Sequence, residues 1–139
     1  MGIKKILTLS ILSLLLFSCA STKKFGRISF GEGGGFTGAV TEYSIDSLGT
    51  LTKKEGFDGT AEKIGTVSKK DLKRFTQKAE LLCKQDEFTQ PGNLYYFIKI
   101  ERADCKKSFT WGASGYTEPS SVKELYSDLK TLLTNKPAL

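Results

Sequence analysis

The first nineteen residues decide how much of this chain is left to fold, and in what surroundings. Lys4 and Lys5 open it with positive charge. Ile6 to Phe17 is apolar apart from the small hydroxyls of Thr8, Ser10 and Ser13, and Ser18 sets a small residue before Cys19. A charged start, an apolar stretch and a small residue at its end make a processed export signal rather than part of a fold. The apolar stretch is also shorter than the roughly 20 residues of a membrane-spanning helix. Removing residues 1–18 of the 139 leaves 121, enough for one domain.

Leu16-Phe17-Ser18-Cys19 resembles the lipobox of bacterial lipoproteins. The resemblance implies that Cys19 becomes the mature N-terminus and carries acyl chains such as palmitate on its sulfur and amine. One chain anchors marginally, at about 0.8 kcal/mol per buried methylene, and several anchor stably. Ala20, not Asp, follows Cys19; in lipoproteins of the enteric type this implies the outer membrane, facing the periplasm. The expected organisation is a signal peptide over 1–18, an acylated N-terminus and tether over 19–25, one α+β domain over 26–135 and a tail over 136–139. The five residues Ala20 to Lys24 reach about 17 Å when fully extended, which keeps the domain close to its membrane.

Charge and residue usage exclude several functions. Taking away Lys4 and Lys5 with the signal lowers the formal charge from +6 to +4. The remaining basic residues are scattered in pairs with acids between them, whereas a nucleic-acid groove needs basic charge on one face. No nucleic-acid partner is expected. The chain has no histidine, which removes Ser-His and Cys-His nucleophilic sites and His-ligated zinc. With Cys19 acylated, only Cys83 and Cys105 remain, too few for a cysteine-rich metal site. No metal and no cofactor are expected. In an oxidising compartment two cysteines read first as a disulfide. Two free thiols or a redox pair are the alternatives, although the C-x-x-C spacing usual for redox work is absent.

Hydrophobic periodicity lays out the elements. Arg27 to Phe30 alternates as a strand with Ile28 and Phe30 inward, and Ala39 to Ile45 follows with Thr41, Tyr43 and Ile45 on one face. Asp46-Ser47-Leu48-Gly49 signals a turn, Thr50 to Lys53 reads as a third strand, and Gly56 to Thr66 reads as a loop. Ser68 and Asp71 have capping-box spacing, with Val67 and Leu72 as a hydrophobic staple. Leu72, Phe75, Ala79 and Leu82 then recur at helical spacing. Phe88 to Asn93 reads as a loop. Leu94 to Ile100 is the strongest strand, with Leu94, Tyr96, Ile98 and Ile100 on one face. Cys105 to Trp111 is its hairpin partner. A last helix is expected to be capped by Ser121 with Glu124 at N3 and to carry Val122, Leu125, Tyr126, Leu129, Leu132 and Leu133 on one stripe. The fold class is α+β: a small antiparallel sheet with both helices on one face, in the order β-β-(β)-α-β-β-α.

Two places stand out as candidate sites. Gly33-Gly34-Gly35-Phe36-Thr37-Gly38 matches G-x-G-x-x-G in form, but a dinucleotide site needs that motif to open a helix, and here a strand follows. The segment is therefore either a hairpin connection that uses glycines for positive φ or a backbone-rich loop that lets a partner approach, with Phe36 as its anchor. Phe30 to Val40, Gly-Gly-Phe in particular, resembles the N-terminal segment of emfourin-type inhibitors of thermolysin-like metalloproteases. Those inhibitors follow a Gly-Gly-Phe start with later strands and a closing Leu-rich helix. The lipobox and the third glycine depart from that family. The second place is the Cys83–Cys105 pair, which a helix packed on the inward strand face brings together. Closing about 23 residues is worth roughly 3 kcal/mol. The carboxylates Glu32, Asp86, Glu87 and Asp104 form no constellation for acid/base work, so no catalytic residues and no enzyme activity are expected. The functional expectation is a membrane-anchored binding module for an envelope or periplasmic protein, with protease inhibition through the glycine loop as the narrower form. A structural accessory lipoprotein, docking through Tyr95 and Phe97, is the alternative.

Overall fold

Alternation of apolar and polar residues builds most of this molecule, and it does so over more strands than periodicity alone identifies. A computed structural model describes residues 25–135. The elements are β1 (Phe25–Gly34), β2 (Ala39–Asp46), β3 (Thr50–Glu55), β4 (Glu62–Thr66), α1 (Lys69–Leu82), β5 (Phe88–Thr89), β6 (Leu94–Arg102), β7 (Cys105–Trp111) and α2 (Ser120–Thr134). The seven strands form one sheet in the order β4-β3-β2-β1-β6-β7-β5. Every pairing is antiparallel except β5 with β7. The α+β class holds, but the sheet is larger than the small one expected.

The two added strands come from stretches expected to be loops. Within Gly56–Thr66, β4 pairs with β3 through a register shift between Leu51 and Thr52. Its sole large apolar residue is Ile64, so it has no alternating pattern to read. Within Phe88–Asn93, β5 is two residues long and parallel to β7, pairing Phe88 with Phe109. At both sites the strand is selected by a neighbour's free edge, not by its own side chains.

Both helices cover one face of the sheet. Ile28, Phe30, Ile45, Leu51, Ile98, Ile100 and Phe109 from the strands are buried with Phe75, Ala79 and Leu82 of α1 and Val122, Leu125 and Leu129 of α2. Each fully buried Phe, Ile or Leu contributes about 2–3 kcal/mol. The two helices are joined side to side by Lys78 to Asp128 at 2.8 Å and by Gln85 to Ser121 at 2.8 Å. α1 starts as expected, with Ser68 Oγ accepting from the Asp71 N–H at 3.1 Å. α2 does not. Its N-cap is Pro119, whose carbonyl accepts from the Val122 and Lys123 N–H groups. Ser121 lies inside the helix and spends its hydroxyl on Gln85, so the Ser121/Glu124 capping box does not form.

The disulfide is present. Cys83 terminates α1 and Cys105 opens β7, with Cα atoms 6.0 Å apart across a sequence separation of 22. It fastens the end of α1 to the β6–β7 hairpin. Cys19, the expected lipidation site, lies outside the described residues.

Candidate functional site

The glycine segment divides into two parts with different physical demands. Gly33 and Gly34 are not loop residues. They belong to β1, opposite Val40 and Ala39 on one side and Tyr95 and Leu94 on the other. On the sheet face away from the helices, Gly31 and Gly33 leave room for aromatic rings from β6. A Cβ on Gly31 would stand 2.9 Å from Phe97 Cζ, and one on Gly33 would stand 2.6 Å from Tyr95 Cζ. The two rings therefore lie directly on the β1 backbone, and Phe97 is only 4% exposed.

The connection proper is Gly35 to Gly38. Gly34, Gly35 and Gly38 have φ of +98°, +74° and +62°, where a Cβ is costly. Gly38 N–H donates to the Gly35 carbonyl at 3.1 Å, and Gly35 N–H donates to the Asn93 carbonyl at 2.7 Å. The second bond ties the turn to the start of β6. The glycine run thus has a steric reason at each of these positions, and glycine abundance alone no longer argues for a binding loop.

Phe36 has no such reason. It sits at the hairpin tip with a relative exposure of 108%, more open than in a reference peptide. Leu94, expected on the inward face, is 59% exposed because β6 begins beyond the cover of the helices. Its Cδ2 would lie 3.4 Å from a Cβ on Gly35. Behind the tip is an open recess of about 310 Å³, bounded by Glu32, Thr41, Leu94, Tyr95, Tyr96 and the Gly33–Gly34 backbone. Phe57 is 74% exposed in the β3–β4 connection, where Gly56 N–H donates to the Val40 carbonyl at 2.8 Å. Its setting, an aromatic flanked by glycines in Gly56-Phe57-Asp58-Gly59, repeats that of Phe36 and was available in the sequence as a signal.

Helix α2 braces the middle of β1. Tyr126 of α2 donates its hydroxyl to the Gly31 carbonyl at 3.2 Å. Its ring packs edge-on against Trp111 at 5.0 Å and Tyr96 at 5.8 Å between centroids. Burial, and secondarily the Glu32 carboxylate, pushes the Tyr126 hydroxyl well above the ordinary tyrosine range. Glu32 itself pairs with Lys130 at 3.4 Å.

Of the other carboxylates singled out in the sequence, Glu87 and Asp104 are spent separately. Glu87 accepts from the Ser108 N–H at 3.3 Å, and Asp104 accepts from Arg102 Nε at 3.2 Å. Among the described residues, no group of three or more Cys, Asp or Glu is arranged to hold a metal ion. Among the same residues, no helix is long and apolar enough to cross a membrane. The chain matches no protein-family model, and no curated protein matches it. What the described residues define is an α+β domain with a seven-stranded, mostly antiparallel sheet, a two-helix cover, the Cys83–Cys105 disulfide and a hydrogen-bonded hairpin tip.

Proposed function

We propose that this chain is an acylated lipoprotein of the bacterial envelope that binds another envelope or periplasmic protein through the β1–β2 hairpin tip. The observation that carries the reading is Phe36. A fully exposed phenylalanine on a turn held by Gly35–Asn93 and Gly38–Gly35 hydrogen bonds is a pre-ordered apolar anchor. Burying such a ring in a partner's pocket yields 2 kcal/mol or more, and a stiff mount reduces the ordering cost of binding. The strand geometry agrees. β1 opens six residues after Cys19 and runs ten residues to the turn, which carries the tip about 30 Å away from the anchored end. The narrower form is inhibition of a thermolysin-like metalloprotease, and its support is the Gly-Gly-Phe resemblance. No catalytic role belongs to this reading. The accessory alternative relied on Tyr95 and Phe97, and it is disfavoured because Phe97 is buried against Gly31.

The test is Phe36→Ala in the acylated protein. The change leaves stability within about 0.5 kcal/mol, as for other exposed positions. It weakens binding at least about tenfold toward a partner captured from envelope extract, or toward thermolysin as the protease probe. Unchanged affinity in a stable variant refutes the hairpin reading.

A further inference from the structure

The end of the sheet opposite the glycine hairpin carries Lys69, Lys70 and Lys73 of one short stretch. β1 opens there, with Arg27 opposite Asp46 of β2 and Glu101 of β6. The β2–β3 turn lies at the same end. Asp46 Oδ1 accepts from the N–H groups of Leu48 and Thr50, each at 2.9 Å, which holds Leu48 outward at 83% exposure. This turn is bound to the start of α1, because the Val67 N–H donates to the Gly49 carbonyl at 2.8 Å.

Helix α1 then begins with Lys69, Lys70 and Lys73, all exposed. The one acid among them is committed elsewhere. Asp71 accepts from Ser68 Oγ at 2.8 Å and pairs with Arg74 at 3.2 Å. Lys69, Lys70 and Lys73 form no ion pair among the described residues. Lys69 and Lys70, in the first helical turn, oppose the helix dipole, so these two do not serve the stability of α1.

We infer that this end of the domain is a bilayer-contact surface. Lys69, Lys70 and Lys73 meet the headgroups of anionic phospholipid, and Leu48 enters the interface. The inference rests on the lipoprotein reading above, because acylated Cys19 is what holds the domain at the membrane. Two observations select a lipid surface as the occupant. The first is chemical: unneutralised lysines beside an exposed leucine complement an anionic interface. The second is the length of chain between anchor and fold. Six residues from Cys19 to Phe25 reach about 20 Å at most, and β1 enters the sheet at this end. The tether is shorter than β1 is long, so the basic end is the end nearest the anchor.

The experiment uses the acylated full protein carrying Leu48→Trp, reconstituted in vesicles of phosphatidylglycerol and phosphatidylcholine with brominated acyl chains. The native Trp111 is only 6% exposed and supplies the constant background. Bromine quenching of the introduced tryptophan is expected in anionic vesicles at low salt and not in pure phosphatidylcholine. Each lysine at such a surface is worth about fivefold in the docked-to-undocked ratio, so K69Q/K70Q/K73Q lowers that ratio about a hundredfold. High salt acts in the same direction. An unchanged melting temperature shows that the triple variant is folded. Vesicle-bound protein without quenching, or with equal quenching in the triple variant, overturns the inference. An unacylated mass with protein free of vesicles overturns the lipoprotein reading itself, and this inference with it.

Discussion

Replacing Gly31 by alanine tests whether the glycines of β1 are seats for aromatic rings. The new Cβ would lie 2.0 Å from the Thr41 carbonyl oxygen and 2.9 Å from Phe97 Cζ. The first contact is with backbone, so relief requires β1 and β2 to part by about 1.5 Å near the Gly31–Glu42 rung, since heavy atoms not bonded to each other settle near 3.5 Å. Weakening one or two ladder bonds costs about 1 kcal/mol each. Displacing Phe97, which is 4% exposed, adds about 1–3 kcal/mol of overpacking. Alanine recovers about 0.4–1 kcal/mol by restricting the unfolded chain. The net loss is about 3 kcal/mol. Gly38→Ala supplies the contrast. Nothing lies within 4 Å of a Cβ there, and only the φ of +62° resists it. That strain costs about 1–2 kcal/mol before the same recovery. Thermal melts of the mature protein measure both. At about 4 °C per kcal/mol for a domain of this size, Gly31→Ala falls by about 12 °C and Gly38→Ala by about 4 °C or less. A Gly31→Ala loss below about 1 kcal/mol, or a Gly38→Ala loss exceeding that of Gly31→Ala, refutes a steric demand for glycine at Gly31.

Three further outcomes are expected. Reducing the Cys83–Cys105 bond, or replacing both cysteines by serine, removes about 3 kcal/mol because the bond closes a loop across 22 residues; melts with and without reductant measure it, and an unshifted transition refutes it. Tyr126 ionises later in the fold than in the unfolded chain, since burial and then Glu32 raise it. Its stabilisation is therefore full below about pH 10 and lost as pH climbs from there toward the folded-state value. Tyr126→Phe should flatten that alkaline decline in melts taken across the range. Cys19→Ser should leave an unprocessed or soluble protein whose intact mass lacks acyl chains, and wild-type protein cleaved elsewhere and released as a soluble product would defeat the lipoprotein reading.

Much of this architecture was legible where a segment stabilises itself. α1 announced its start through Ser68 and Asp71 and its buried face through Phe75, Ala79 and Leu82, because capping and helical period are local properties. β6 and β7 were legible from alternation, and the Cys83–Cys105 pair followed from compartment and count. The misses share a cause. β4 and β5 exist because β3 and β7 offer unpaired edges, and edge strands carry little pattern of their own. Ser121 lost its capping role to Pro119 because its hydroxyl found Gln85, a partner 36 residues away. At the candidate site the sequence singled out Phe36, which stands exposed at the tip, but it placed Gly33 and Gly34 in the connection and not in β1. The demand at Gly33 comes mainly from Tyr95, and at Gly31 from the Thr41 carbonyl oxygen and then Phe97; both rings lie more than sixty residues downstream, and no local signal reports them.

The strand order carries a consequence for how the chain acquires its shape. β1 to β4 form a meander of neighbours, and β6 with β7 forms a hairpin, so both groups can assemble from local contacts. The two meet along one long seam, β1 against β6, where Ile28 faces Ile100 and Phe30 faces Ile98. Pairings between residues so far apart in sequence are reached late, because the closure entropy must be met before the contact rewards it. Until then β1 has one satisfied edge and one open edge, with its glycines uncovered by the rings that will lie on them. An open edge of that kind pairs readily with other chains. Closure of this seam is therefore the slow step expected in folding, and substitutions in β6 that weaken it should raise aggregation before they lower the melting temperature.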